Sequence, residues 1–139
     1  YVDSLVIASE QFQINLVNSS KARFIPKFNK THFFVFAYET SQELSDALPK
    51  YFKELIVDNP KLSIGNLILD KEHSLILISE FDTKEAAVSF NKMVDEENPS
   101  EKINETGKFY NFVITKDNFN IFYQTQELDS YLKFYRKNY

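Results

Sequence analysis

Residues 32–38 read HFFVFAY, an aromatic run set between Lys30-Thr31 and Glu39-Thr40. The run is too short and too aromatic to favour a helix, and bulky rings suit a pleated, buried surface. In a strand, Phe34, Phe36 and Tyr38 share one face while Phe33, Val35 and Ala37 share the other. Both faces are apolar, so both must be covered.

Working outward, a helical pattern opens after Thr40-Ser41. Leu44, Leu48, Phe52, Leu55 and Ile56 recur at helical spacing. Ser41 is the expected N-cap, with Glu43 in the acid-favouring first turn. Pro49 is expected to kink or divide this helix, and Asp58-Asn59-Pro60 to end it. Ile64 to Leu69 and Ser74 to Ser79 flank the polar turn Asp70-Lys71-Glu72-His73, a β-hairpin pattern. Asp82 or Thr83 then caps a second helix carrying Ala86, Ala87, Phe90, Met93 and Val94. Asn98 to Lys108 reads as a polar loop and FYNFVIT, residues 109–115, as a fourth strand. Asp117 to Tyr123 has no clear period. Glu127 to Lys137 is an amphipathic helix with Leu128, Tyr131, Leu132 and Tyr135 on one face.

The order from His32 is β-α-β-β-α-β followed by a helix. This predicts an α+β fold, the ferredoxin-like four-stranded antiparallel sheet with an extra C-terminal helix. Residues 1–31 read as a lead-in or linker with one added strand at Phe12 to Val17, and residues 32–139 as the domain. The two helices of such a core lie on one sheet face. The other face then needs the last helix, the lead-in or a partner.

Composition narrows the function. The chain has 139 residues, enough for one domain, with a net charge of -4. Only Arg23 and Arg136 supply guanidinium groups, a poor set for gripping phosphates, so no nucleic-acid partner is expected. The absence of Cys removes disulfides, thiol catalysis and Cys-zinc sites. No apolar run reaches the roughly 20 residues of a membrane helix. Two glycines, Gly65 and Gly107, cannot build a glycine-rich phosphate loop.

The residues that could carry chemistry are dispersed. His32 and His73 are the only histidines and stand about forty residues apart. Asp95-Glu96-Glu97 reads as a solvated helix end, and Asp117-Asn118-Phe119-Asn120 lacks the glycine and closing Glu of a Ca²⁺ loop. No serine lies in a nucleophile elbow. The expectation is therefore a non-enzymatic binding domain without cofactor or metal. Its 22 aromatics, 14 Phe and 8 Tyr, supply the candidate binding residues Phe34, Phe36, Tyr38, Tyr131 and Tyr135.

Two resemblances add to this reading. Residues 109–139 carry Phe112, Val113, Ile114, Asn118, Phe119, Phe122, Tyr131, Leu132, Phe134 and Tyr139 in a pattern that resembles a known chain end. It is that of SprE/PorW-type tetratricopeptide-repeat lipoproteins of Bacteroidota. HFFVFAY and the segment NLILDKEHSLILISEFDTKEAAVSFNKM fit the same region, so the resemblance spans residues 32–139. It implies a periplasmic, outer-membrane-anchored component of gliding motility and type IX secretion, with protein partners in the cell envelope. Ile78 to Ala87 is similar to the strand-to-helix segment of the SPOR domain, although Ser79-Glu80 stands where that family has Gly-Pro. That resemblance implies a SPOR-like βαββαβ core and, as the alternative function, peptidoglycan binding on an open sheet face.

Overall fold

The computed structural model describes residues 23–99 and 108–139. The strand expected at Phe12 to Val17 lies outside them. Four strands, β1 (His32–Glu39), β2 (Ser63–Ile68), β3 (His73–Phe81) and β4 (Phe109–Thr115), form one antiparallel sheet in the order β2-β3-β1-β4. Helix α1 (Gln42–Leu55) connects β1 to β2, and α2 (Lys84–Glu97) lies between β3 and β4. Two further helices follow β4: α3 (Lys116–Thr125) and α4 (Leu128–Asn138). The architecture is α+β with the ferredoxin-like strand arrangement, as the element order predicts. Where one extra helix was expected there are two, because the unassigned stretch around Asp117 to Tyr123 is itself helical.

Three of the four described helices, all but α4, start where a side chain replaces a missing backbone partner. The Ser41, Thr83 and Thr115 hydroxyls accept from the amides of Leu44, Ala86 and Asn118 at 3.1, 3.1 and 3.2 Å. Thr115 is both the last residue of β4 and the cap of α3, so strand passes into helix without a linker. Pro49 does not divide α1, which runs unbroken from Gln42 to Leu55. Leu48 and Phe52, buried on either side of the proline, anchor both halves of the helix to the sheet, and this packing overrides the lost backbone bond.

The sheet separates two cores. Beneath α1 and α2 lie Phe34, Phe36 and Tyr38 with Ile76, Ile78 and Val113, packed by Leu44, Leu48, Phe52, Phe90 and Val94. On the opposite face Phe33, Val35 and Ala37 join Leu75, Phe112 and Ile114 beneath Phe119, Phe122, Leu128, Tyr131 and Leu132 of α3 and α4. The doubly apolar first strand thus has both its faces covered from within the chain. Burying each such side chain contributes about 1.5–3 kcal/mol.

The end of the lead-in also packs here. Phe24 meets Tyr131 edge-on at 5.0 Å. The buried Asn118 accepts from the Ile25 amide at 2.7 Å and donates to the Ile25 carbonyl at 2.9 Å, as a neighbouring strand would.

Candidate functional site

The structure places the five expected binding residues in two groups. Phe34, Phe36 and Tyr38 are buried beneath α1 and α2, and Tyr131 is buried beneath α4's own contacts with β4. Only Tyr135 is partly accessible. In this fold the first four rings belong to the core and form no surface a partner could reach. Strand alternation separates the two faces of β1 but does not say which face receives which helices.

Tyr131, Tyr135 and Tyr139 instead make a seam. They stand four residues apart along α4 and its end, on the side facing β4. The Tyr131 hydroxyl donates to the Val113 carbonyl at 2.6 Å. Asn91 of α2 donates to the Tyr135 hydroxyl at 3.1 Å and accepts from Asn111 at 2.8 Å, while Asn111 also donates to Asp95 at 2.8 Å. Tyr135 packs against both cores, so α4 wraps the edge of β4 and stitches it to α2. Burial pushes the hydroxyls of Tyr131, Tyr135 and Tyr139 up from the ordinary tyrosine value; Tyr139 and Tyr135 add to this at Tyr131 and Asp95 adds to it at Tyr135, while at Tyr139 the contact with Tyr131 works against burial and Tyr135 with it. All three stay neutral donors and acceptors, which suits a structural seam.

Tyr139 closes that seam on His32. The imidazole is fully buried, with Nδ1 2.8 Å from the Lys30 carbonyl and Nε2 2.8 Å from the Tyr139 hydroxyl. A carbonyl only accepts, so Nδ1 carries the proton and Nε2 accepts from Tyr139. Burial holds the imidazole below its ordinary pKa; the Lys30 carbonyl and Glu85 work against this and Lys84 with it. The Lys84 ammonium lies 5.3 Å from the Phe28 ring centre and 5.2 Å from that of Tyr139, a cation set between two aromatic rings.

His73 sits at the opposite end of the sheet. Its Nδ1 is 3.1 Å from Asp70 Oδ1, which also accepts from the amides of Glu72 and His73 at 2.8 Å each. Burial alone would raise the Asp70 carboxyl, but those amides and the imidazole hold it below the usual carboxylate range. The turn is thereby fixed by its own side chain. Beside it is a recess of about 340 Å³ lined in part by Tyr110, Gln126, Glu127 and Ser130. Ser130 donates to Glu127 at 3.1 Å there. Structure brings neither histidine to the other, and among the described residues no group of three or more His, Cys, Asp or Glu is placed to hold a metal ion. Of the acidic run, Asp95 and Glu96 are exposed, and Glu97 accepts from Tyr51 at 3.4 Å. Burial and Glu97 push that Tyr51 hydroxyl up to about 12.

Among the described residues no strand pairs with the outer edge of β2, an edge that sequence reading did not single out. The Leu69 amide donates to the His73 carbonyl, and β2–β3 pairing continues in that register from Leu67↔Leu75 to Ser63↔Ser79. Hydrogen-bonded pairs alternate along an antiparallel ladder. Ser63, Gly65 and Leu67 therefore point their backbone groups at β3, and Ile64, Asn66 and Ile68 point theirs outward. The Ile68 carbonyl accepts from Tyr123 at 3.0 Å, which agrees with that outward direction. Ile68 is 70% exposed.

Comparisons with protein-family models, with curated proteins and with solved structures found no match for this chain. No helix among the described residues is long and apolar enough to cross a membrane.

Proposed function

We propose that the domain is a non-enzymatic protein-interaction module of the cell envelope, within a larger periplasmic component of type IX secretion or gliding motility. The observation that carries the reading is the filling of both sheet faces by the chain's own rings. What such a domain offers is a shell of helix surfaces and one strand edge, the features through which proteins dock on proteins. The resemblance in residues 109–139 supports the cellular setting. Seven of its ten residues, Phe112, Ile114, Phe119, Phe122, Tyr131, Leu132 and Phe134, belong to or pack on the second core.

Peptidoglycan binding is less well supported, because the face a SPOR-like domain would offer to glycan is here occupied by α3 and α4. Two experiments test the choice. The chain immobilised as bait against solubilised envelopes of a gliding bacterium should enrich a secretion or motility component over a bait of unrelated fold. Recovery of none would count against the proposal. Pelleting with purified sacculi would favour the glycan reading instead.

A further inference from the structure

We infer that the open edge of β2 pairs with β2 of a second copy of this chain, joining two sheets into one across a two-fold axis. This goes beyond the envelope-partner reading and does not depend on it.

The two edges of the sheet are treated differently. At β4, Tyr131 takes the outward carbonyl of Val113 and α4 wraps the strand. Edge strands left open are ordinarily protected by charge, proline or a bulge. Strand β2, SIGNLI, has no charged residue and no proline, and its register with β3 is unbroken from Ser63 to Ile68. An unprotected neutral edge is what an edge-to-edge interface needs.

The strand is also complementary to itself in one register. With Asn66 opposite Asn66 of the second copy, the outward-facing residues meet as hydrogen-bonded pairs, Ile64 with Ile68 and Asn66 with Asn66. Directly opposite residues share a sheet face. Ile64 then packs on Ile68 at both ends of the interface. On the other face Leu67 falls opposite Gly65, where a Cβ would meet nothing within 4 Å. The leucine of each copy enters the space beside the other's glycine. Centring the pair on Gly65 would instead set Ile64 against Asn66 and Leu67 against Ser63.

The same register sets Lys61 opposite Lys71 of the second copy, with Asp70 and Glu72 on either side of it, so each end of the interface carries two bases and two acids. The Ile68 carbonyl keeps a second lone pair beside the Tyr123 bond, so it can accept from the second copy as well.

Sedimentation of the full 139-residue chain over about 1–300 μM tests this, the range in which a micromolar Kd becomes visible. Dimer formation is expected, and Ile68→Lys should weaken it by about tenfold or more by setting a charge against Ile64 of the other copy. That position is exposed in the single copy, so the fold should survive, which circular dichroism checks. Register is read separately with cysteine, since the chain has none of its own. Asn66→Cys should give an oxidised dimer, because hydrogen-bonded partners lie about 5.5 Å apart between Cα atoms, within disulfide reach. Ser63→Cys should not, because its copies would lie six positions out of register, about 20 Å apart.

A chain that stays monomeric throughout the range overturns the proposal. So does a monomer whose Ile64 and Asn66 amides resist hydrogen exchange, which would place another part of the same chain on the edge. A dimer indifferent to Ile68→Lys and not cross-linked at position 66 moves the interface elsewhere.

Discussion

One face of the sheet is covered by helices that the chain needs in order to connect its strands. The other is covered by a pair of helices that connects no strands at all. Helices α1 and α2 lie between strands in the chain, so their apolar faces meet Phe34, Phe36 and Tyr38 as a consequence of topology. Helices α3 and α4 come after the last strand and have to be fastened. Their polar ties run to the rim of the sheet: Tyr131 to Val113, Tyr123 to Ile68, and Gln126 to the Leu69 carbonyl at 2.6 Å. Gln126 does this from a left-handed backbone, φ 58°, a strained conformation for a residue other than glycine that its side-chain anchor helps to hold. The difference teaches that an appended layer can complete a core if its polar groups, as well as its rings, find partners.

The strongest way to break this comparison is to remove one ring from each core. Phe52 and Phe122 are both fully buried, so Phe52→Ala and Phe122→Ala should each cost about 3–5 kcal/mol in denaturant titrations. Both variants should still unfold in one transition. Losing α3 and α4 alone would strip Phe33, Val35, Phe112 and Ile114 at once, too much apolar area to leave in water. Separate loss of the appended helices in Phe122→Ala, seen as two phases by circular dichroism, would show that the second layer is an accessory.

These two layers were not equally legible in the sequence. Strands β1 to β4 and helices α1 and α2 follow from alternation, spacing and caps, because local pattern and tertiary burial agree there. Helix α3 was missed although Phe119, Phe122 and Tyr123 lie on one helical face. Its Asp117 and Asn118 look like turn residues, and its cap, Thr115, is also the end of a strand. The apolar residues on both sides of β1 did require a second cover. That Asn118 would fasten the lead-in to α3 rests on contacts across more than ninety residues, which no local pattern carries. The same holds for the open edge of β2, since strand order decides which strands lie outermost.

A smaller change sharpens the contrast by cutting one fastener. Tyr131→Phe keeps the ring that packs on Phe112 at 4.9 Å but removes the hydroxyl that serves the outward carbonyl of Val113. A buried acceptor without its donor costs about 1–3 kcal/mol, and the variant should lose that much in stability with its fold intact. No measurable loss would mean that the seam is held by rings alone.

The smallest expected effect lies at the far end of the same seam and depends on pH. His32 is held neutral, donating to Lys30 and accepting from Tyr139. Burial lowers its folded-state pKa below the ordinary value of 6.5. Above that ordinary value neither the folded nor the unfolded chain protonates the ring, and stability gains nothing from it. As pH falls through 6.5 the unfolded chain takes up the proton first, so stability falls until the lowered folded-state pKa is passed. One group can change stability by at most about 1.4 kcal/mol per pH unit. Protonation would also force Nε2 to donate, and Tyr139 would have to stop donating to it. The seam should therefore loosen first at the chain end. Stability of the wild-type chain minus that of His32→Gln, followed by thermal melts between about pH 7.5 and 5, should decline on the acid side of 6.5. A difference curve that is flat, or that rises toward acid, would mean that His32 is charged in the folded protein, and the neutral seam would have to be redrawn.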